Sequence, residues 1–311
     1  MAVAQRALAA LAPRVELEEY LFGAEAIRRT GDSLPDATLD ACRTADAVLK
    51  APIGHPEFDA ADVRPEQGML RLRSELDVYA NLRPARQGRV DIVIVRELVG
   101  GLYFGARGVR DDGTVFDTCE YHPSQVERIA RRGFELARAR RGKLTSVDKA
   151  NVLDTSRMWR RVVREVSADY PDVELDDMLV DNAAMQLASA PERFDVIVTE
   201  NMFGDILSDL AAAMTGGLGL APSASLADHG PGIFEPVHGS APDIAGKGVA
   251  NPAGMLRSTA LLLEHGLGLA SEAAALEASV ERALASTPTP DLGGTATTAA
   301  FADAVLMDLA A

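Results

Sequence analysis

Cysteine is nearly missing from this chain, which holds only Cys42 and Cys119. Two isolated thiols supply neither a disulfide framework nor metal-ligand spacing, so both read as packing residues, and the scarcity fits a reducing cytosol. Long apolar runs are missing too. No stretch approaches the ~18 residues that span a bilayer. The opening "MAVAQRALAALAP" has too weak a basic start, and no convincing cleavage site, for a signal peptide. Positive charge is in deficit: 31 Lys and Arg against 46 Asp and Glu leave a formal net charge of −15. That field disfavours nucleic acid and anionic membranes as partners, and an anionic substrate would need a local basic cluster. Internal repeats and low-complexity stretches are likewise absent. What remains is ordinary globular composition, 47% hydrophobic and 25% charged, over a length that suggests about two domains.

Several β-rich runs end abruptly in polar residues. "DIVIVRE" leads into Arg96 and Glu97, "KLTSVDKAN" into Asp148, Lys149 and Asn151, and "FDVIVTEN" into Glu200 and Asn201. Continuous apolar runs of this length predict strands covered on both faces. Between them lie helical patterns. In "PSQVERIARRGFELARARRGK" positions 126, 129, 130, 133, 134 and 137 follow the helical period, with Pro123 suited to the first turn and Gly142 to a stop. In "DTSRMWRRVVREVSADYP" Trp159, Val162, Val163 and Val166 share a face, Asp154 or Thr155 can cap, and Pro171 ends the pattern. Strands alternating with helices give an α/β fold class, whose ligands sit at the carboxyl ends of strands. Two decoys are set aside: "GGLGLAPSAS" lacks the full dinucleotide fingerprint, and "GVRDDG" lacks the later acids of a calcium loop.

Candidate site residues lie at element ends and along one helical face. Glu66, Met69, Leu70 and Arg73 are spaced along one helical face, Arg83 follows in the extended "NLRP", and Arg96 ends "DIVIV". Each arginine alone reads as solvated surface; together they could clamp a substrate with two carboxylates. Tyr103 in "GGLYFG" and Lys149 in "SVDKAN" read as packing and ion-pair residues unless a site gathers them. In "NMFGDILSD", Asp205 and Asp209 stand one turn apart just past a buried strand. They are either acids suited to a helix N-terminus or half of a metal site, with Asp181 as a possible third carboxylate. An all-oxygen set would favour Mg²⁺ or Mn²⁺ over Zn²⁺. "FEPVHGSAPDIAGKGVANP" reads as a long loop, of a length uncommon unless it binds something.

Taken in order, "NLRP", "VIVRELVGGLYFG", "SVDKANVL", "TENMFGDILSDL", "GLAPSASL" and "FEPVHGSAPDIAGKGVANP" resemble the β-decarboxylating dehydrogenase family over nearly the whole chain. The resemblance implies a two-domain α/β fold of the isopropylmalate dehydrogenase type, not Rossmann, with a sheet shared between residues 1–78 plus 216–311 and residues 79–215. It implies a homodimer with shared active sites and an NAD- and Mg²⁺- or Mn²⁺-dependent reaction. Arg73, Arg83 and Arg96 would hold the malate carboxylates, and Asp205 and Asp209 the metal. Asp181, Lys149 and Asn151 would cross from the partner, with Lys149 as base and Tyr103 as proton donor. His238, Gly239, Ser240, Ala241, Pro242, Asp243, Ile244 and Asn251 would cradle the cofactor, the Asp243 carboxylate favouring NAD over NADP, with Glu66 near the nicotinamide. The apolar Met69 and Leu70 suit a branched alkyl substituent better than a third carboxylate, so isopropylmalate is favoured over isocitrate or homoisocitrate, while a methylene-scale preference of only ~1–3 kcal/mol leaves room for activity on D-malate or its 3-alkyl relatives.

The chain departs from the family pattern in two places. The usual opening strand and glycine-rich turn are not seen before "MAVAQRALAALAP", which reads as the first helix already under way. Only "ARQGR" joins "NLRP" to "DIVIV". A non-catalytic partner subunit is therefore the rival expectation.

Overall fold

The structure is a computed structural model that describes residues 1–310. The chain forms two compact units, Met1–Asp77 with the chain from Gly216 onward, and Val78–Thr215. In chain order the first unit opens with helices α1 (Ala2–Leu11), α2 (Gly23–Thr30) and α3 (Asp36–Thr44), strand β1 (Ala47–Leu49) and helix α4 (Pro65–Glu75). The second unit holds β2 (Ala80–Gln87), β3 (Val90–Glu97), the small strands β4 (Arg107–Val109) and β5 (Val115–Asp117), then α5 (Pro123–Ala139), β6 (Lys143–Asp148), α6 (Asp154–Ser167), β7 (Glu174–Leu179), α7 (Val180–Ser189), β8 (Val196–Thr199) and α8 (Asn201–Met214). The chain then returns to the first unit with β9 (Pro222–Leu226), β10 (Gly232–Pro236), α9 (Ala253–Leu261), α10 (Ala270–Ser286) and α11 (Thr298–Leu309).

In the second unit the strands lie in the order β2, β3, β8, β6, β7. β2 pairs antiparallel with β3, and the remaining neighbours are parallel. The pleat sorts their apolar side chains onto two faces. Ile92, Ile94, Val147 and Ile197 join Ala183, Leu187, Leu207 and Ala211 of α7 and α8. On the other face Leu144 and Val198 lie against α5, where a Cβ added at Gly133 would touch both at 3.3 Å. Helices on both faces explain why β3 reads as an unbroken apolar run.

The helical period of α5 is realised as read: Val126, Ile129, Ala130, Gly133, Phe134 and Ala137 are its buried residues. So is that of α6, with Trp159, Val162, Val163 and Val166 buried. The cap expected for α6 is not formed. Leu153 occupies the N-cap without a side-chain bond, and Asp154 instead accepts from the Arg157 guanidinium at 3.1 Å, one helical turn on. "ARQGR" closes as a tight hairpin in which Gln87 pairs with Val90, leaving a two-residue turn whose Gly88 takes a φ of +57°.

The first unit pairs β1 parallel to β10 and β10 antiparallel to β9. α1 buries Ala4, Ala7 and Leu8 where it packs on α9 and α11. The loop expected from Phe234 begins later, because Phe234, Glu235 and Pro236 belong to β10. Pro242–Ile244 forms a single 3₁₀ turn within it. Among the described residues no helix is long and apolar enough to cross a membrane.

Candidate active site

Helix α8 starts at the carboxyl end of β8, and its N-terminus is already served. Glu200 is the N-cap, its Oε1 accepting from the Phe203 N–H at 3.1 Å. Asp205 lies beyond the first turn and is not needed as a cap, so the helix-capping reading of the two aspartates falls. Both carboxylates instead face the arginines of β2 and β3. Arg83 Nη1 lies 3.2 Å from Asp205 and 3.4 Å from Asp209, and it also donates to Ser208 Oγ at 2.7 Å. Arg96 Nη1 donates to Asp205 Oδ1 at 2.5 Å. Far from a solvated surface residue, Arg96 is 1% exposed.

Tyr103 reaches the same carboxylate. Its turn, Gly101–Tyr103, follows β3, the hydroxyl donates to Asp205 Oδ2 at 3.1 Å, and the Arg96 guanidinium lies 5.6 Å from the ring centre. Burial raises the Tyr103 pKa, and the Asp205 charge adds to the effect while Arg96 opposes it. The phenol therefore keeps its proton at neutral pH, as a proton donor must. Burial also raises the Asp209 pKa, against the pull of Arg83 and with the repulsion of Asp205.

Lys149 follows β6 and Asp181 opens α7. Their side chains form an ion pair at 2.8 Å, and the lysine lowers the carboxyl pKa of Asp181 by hydrogen bonding. The Lys149 backbone is anchored by its N–H to Ser156 Oγ at 3.0 Å, and Asn151 is exposed in the turn that follows. Among the described residues no three acidic, His or Cys side chains converge as a metal-holding group. Asp181 therefore does not join Asp205 and Asp209 within one chain.

The remaining residues belong to the first unit. Arg73 on α4 lies 3.5 Å from Glu235 of β10, whose other oxygen is 2.5 Å from Lys50. Met69 is buried while Leu70 is only partly so, which leaves Leu70 as the more accessible of the two apolar candidates. Gly54 ties two parts of the cofactor set together. Ser240 Oγ donates to its carbonyl at 2.6 Å, and a Cβ added there would sit 3.6 Å from Glu66 Oε1. In the 238–244 loop Ala241 holds a φ of +44°, Gly239 to Asp243 are exposed and Ile244 is half-buried. His238 Nδ1 lies 2.9 Å from the Gly239 carbonyl. Asn251 is engaged locally, with Ala253 N–H at 2.9 Å and Asp291 at 3.1 Å.

Asn201, Ser208, Lys50, Glu235 and Gly54 were not singled out from sequence. Asn201 alone carried a signal, its place directly after an apolar strand; the others declare themselves only through the atoms they touch.

The second unit also buries two carboxylates beside this cluster. Glu97 is fully buried and its pKa is pushed up to about 7, chiefly by desolvation, with the N–H of Val99 opposing. Burial likewise raises Glu200. A raised carboxyl pKa means that the folded state binds the Glu97 proton more tightly than the unfolded chain does. Its contribution is thus complete below the unfolded pKa of about 4.3 and is lost as pH rises through about 7. Replacing Glu97 by Gln keeps an acceptor for Val99 and removes the charge. The expected result is a stability that declines less between pH 5 and 8 than the parent's, by on the order of 2 kcal/mol. Urea unfolding across that range checks it, and parallel pH profiles for both proteins would refute the assignment.

The isocitrate/isopropylmalate dehydrogenase family model matches residues 1–305. The chain belongs to that family. Its relatives include a 3-isopropylmalate dehydrogenase of Bacillus cereus, 49% identical over 94% of this chain and 87% of that protein. Another, from Zymomonas mobilis, is 50% identical over 97% of this chain and 93% of that one. Among solved structures, an isocitrate dehydrogenase of Methylococcus capsulatus superposes with a TM-score of 0.90 at 38% identity, covering 99% of this chain and 95% of that chain. A β-decarboxylating dehydrogenase from Thermococcus kodakarensis gives 0.86 at 41% identity, covering 99% and 91%. The chain is accordingly an enzyme of the decarboxylating dehydrogenase class with the mixed α/β fold of this family.

Proposed function

We propose that the chain catalyses NAD- and divalent metal-dependent oxidative decarboxylation of (2R,3S)-3-isopropylmalate to 4-methyl-2-oxopentanoate and CO₂, the reaction of leucine biosynthesis. The observation that carries the reading is the convergence of Arg83, Arg96 and Tyr103 on the α8 carboxylates. The residues fit a hard cation: two carboxylates one turn apart already share one guanidinium nitrogen and offer only oxygen donors. Asp205 and Asp209 would hold Mg²⁺ or Mn²⁺, with Asp181 supplied by a second copy. The loop from His238 to Asp243, with Ile244 and Asn251 beside it, would hold the adenosine end of NAD, and the Asp243 carboxylate disfavours a 2′-phosphate there. When bound, NAD⁺ accepts the hydride from C2 and the cation stabilises negative charge on the substrate oxygen.

The chain's own residues do the rest. Arg73, Arg83 and Arg96 would bind the two carboxylates of the substrate, whose oxygens would take over guanidinium donors that Arg83 and Arg96 now spend on aspartates. Lys149, with Asn151 beside it, would accept the C2 hydroxyl proton across a dimer interface. Tyr103 delivers its proton to C3 once CO₂ has left. Leu70, with Met69 behind it, offers alkyl surface to the isopropyl group. The exposed apolar side chains of Met185 on α7 and Ile206 on α8, two helices packed together, support pairing with a second copy, which would take such side chains out of water. The free thiols Cys42 and Cys119 support a cytoplasmic setting.

The test is NADH formation by the purified chain from 3-isopropylmalate. Turnover with Mg²⁺ or Mn²⁺ that is lost with chelator is the expected result, with isocitrate slower by at least about tenfold. Faster turnover of isocitrate or D-malate would move the substrate assignment within the family.

A further inference from the structure

We propose that Asn201 is a positioning residue: its single amide fixes the Arg96 guanidinium against the backbone that leads to Tyr103, so that both meet Asp205 in one geometry. The inference rests on the roles given above to Arg96 and Tyr103. Asn201 is fully buried at the start of α8. Its Oδ1 accepts from Arg96 Nε at 3.0 Å and Nη2 at 2.7 Å. Its Nδ2 donates to the carbonyls of Leu98 at 3.1 Å and Gly100 at 2.9 Å. Its backbone N–H donates to Tyr121 Oη at 2.9 Å. Two donors and two lone pairs are all spent, which no other side chain of this size can reproduce.

The geometry is held from three further directions. With Nε and Nη2 committed to Asn201, Nη1 is the guanidinium nitrogen turned to Asp205. A Cβ added at Gly204 would meet Arg96 Cγ at 2.6 Å, so α8 lies directly on the arginine stem. A Cβ at Gly100 would meet the Tyr121 ring at 2.6 Å, and one at Gly101 the Tyr121 oxygen at 2.4 Å. The turn that carries Tyr103 therefore rests on Tyr121, whose phenol burial keeps protonated, so its oxygen can accept from Asn201 and its hydrogen can go to Glu200, 3.4 Å away. Without the Asn201 amide, the carbonyls of Leu98 and Gly100 lose buried donors and the guanidinium loses the anchor opposite Asp205. Misplacement on the scale of an ångström at either group costs rate steeply.

The experiment measures KM for 3-isopropylmalate, kcat and Tm for Asn201→Ala in the parent, Arg96→Lys and Tyr103→Phe backgrounds. The expected result is a KM raised and a kcat lowered by about tenfold each in the parent. The KM effect shrinks to within about twofold beside Arg96→Lys, and the kcat effect does so beside Tyr103→Phe, because Asn201 acts through those groups. Equal losses in all three backgrounds, or a lowered Tm with unchanged KM and kcat, would overturn the proposal. Asn201→Ser, which keeps a hydroxyl acceptor for Arg96, takes the place of the alanine variant should that fail to fold. Hydrogen exchange at the amides of 98–103 reads the same role without turnover: about tenfold faster in the variant if Asn201 holds the turn, unchanged if it does not. A parent that leaves 3-isopropylmalate untouched would refute the functional reading alone, and the exchange result would still decide the role of Asn201.

Discussion

Mixed subunits carrying Lys149→Met and Asp205→Asn are expected to recover roughly a quarter of parental activity, since half the dimers are hybrids with one intact site each. Each variant alone should lose about 10³-fold in kcat, Lys149→Met as a missing proton acceptor and Asp205→Asn as a weakened oxygen ligand. The structure motivates the cross. Lys149 pairs with Asp181 at 2.8 Å, whereas Asp205 is engaged by Arg83, Arg96 and Tyr103. Asp181 does not gather with Asp205 and Asp209 among the described residues, so under the proposed function it would come from a second copy. A two-fold dimer would exchange the two halves reciprocally. The check is steady-state NADH formation after the variants are unfolded together and refolded at equal concentration. Activity no higher than the sum of the separate variants would sink the shared site.

Arg96→Leu is expected to lower kcat/KM for 3-isopropylmalate by about 10³-fold and stability by about 2–3 kcal/mol. The side chain is buried, and it donates to Asn201 and to Asp205. Removing it strands the Asn201 carbonyl and withdraws a counter-charge from Asp205. The stability loss is set below that of a fully buried pair because Asp205 is 35% exposed and water screens it. Denaturant unfolding and substrate kinetics measure the two effects separately. Activity within tenfold of the parent would refute a carboxylate-binding role, and unchanged stability would refute the buried network.

The helices were legible because their information is local. The spacing of Val126, Ile129, Ala130, Phe134 and Ala137 along α5 is the pattern of burial itself. The same holds for Asp205 and Asp209, whose separation of four residues places them on one face wherever the helix docks. Local reasoning failed at caps. The N-cap of α8 is a glutamate, and α5 is capped by His122 with Gln125. Neither Glu200 nor His122 is among the usual capping types, so Asp154 and Thr155 looked better candidates at α6 than the residue that sits there.

Composition, periodicity and motif order by themselves determined the α/β class and the family likeness, and they singled out the acids, arginines, tyrosine and lysine as candidates. They did so because these depend on spacing within a few residues or on strings of unchanged chemistry. Only the tertiary structure decided what those groups do to one another. It showed that Arg83 and Arg96 are spent on Asp205, that Lys149 goes to Asp181, that Arg73 meets Glu235, and that one buried asparagine ties Arg96 to the backbone before Tyr103. Those pairings join residues up to 162 positions apart. Charge and hydrogen bonding act over a few ångströms of space, and chain separation carries no record of which atoms folding brings that close.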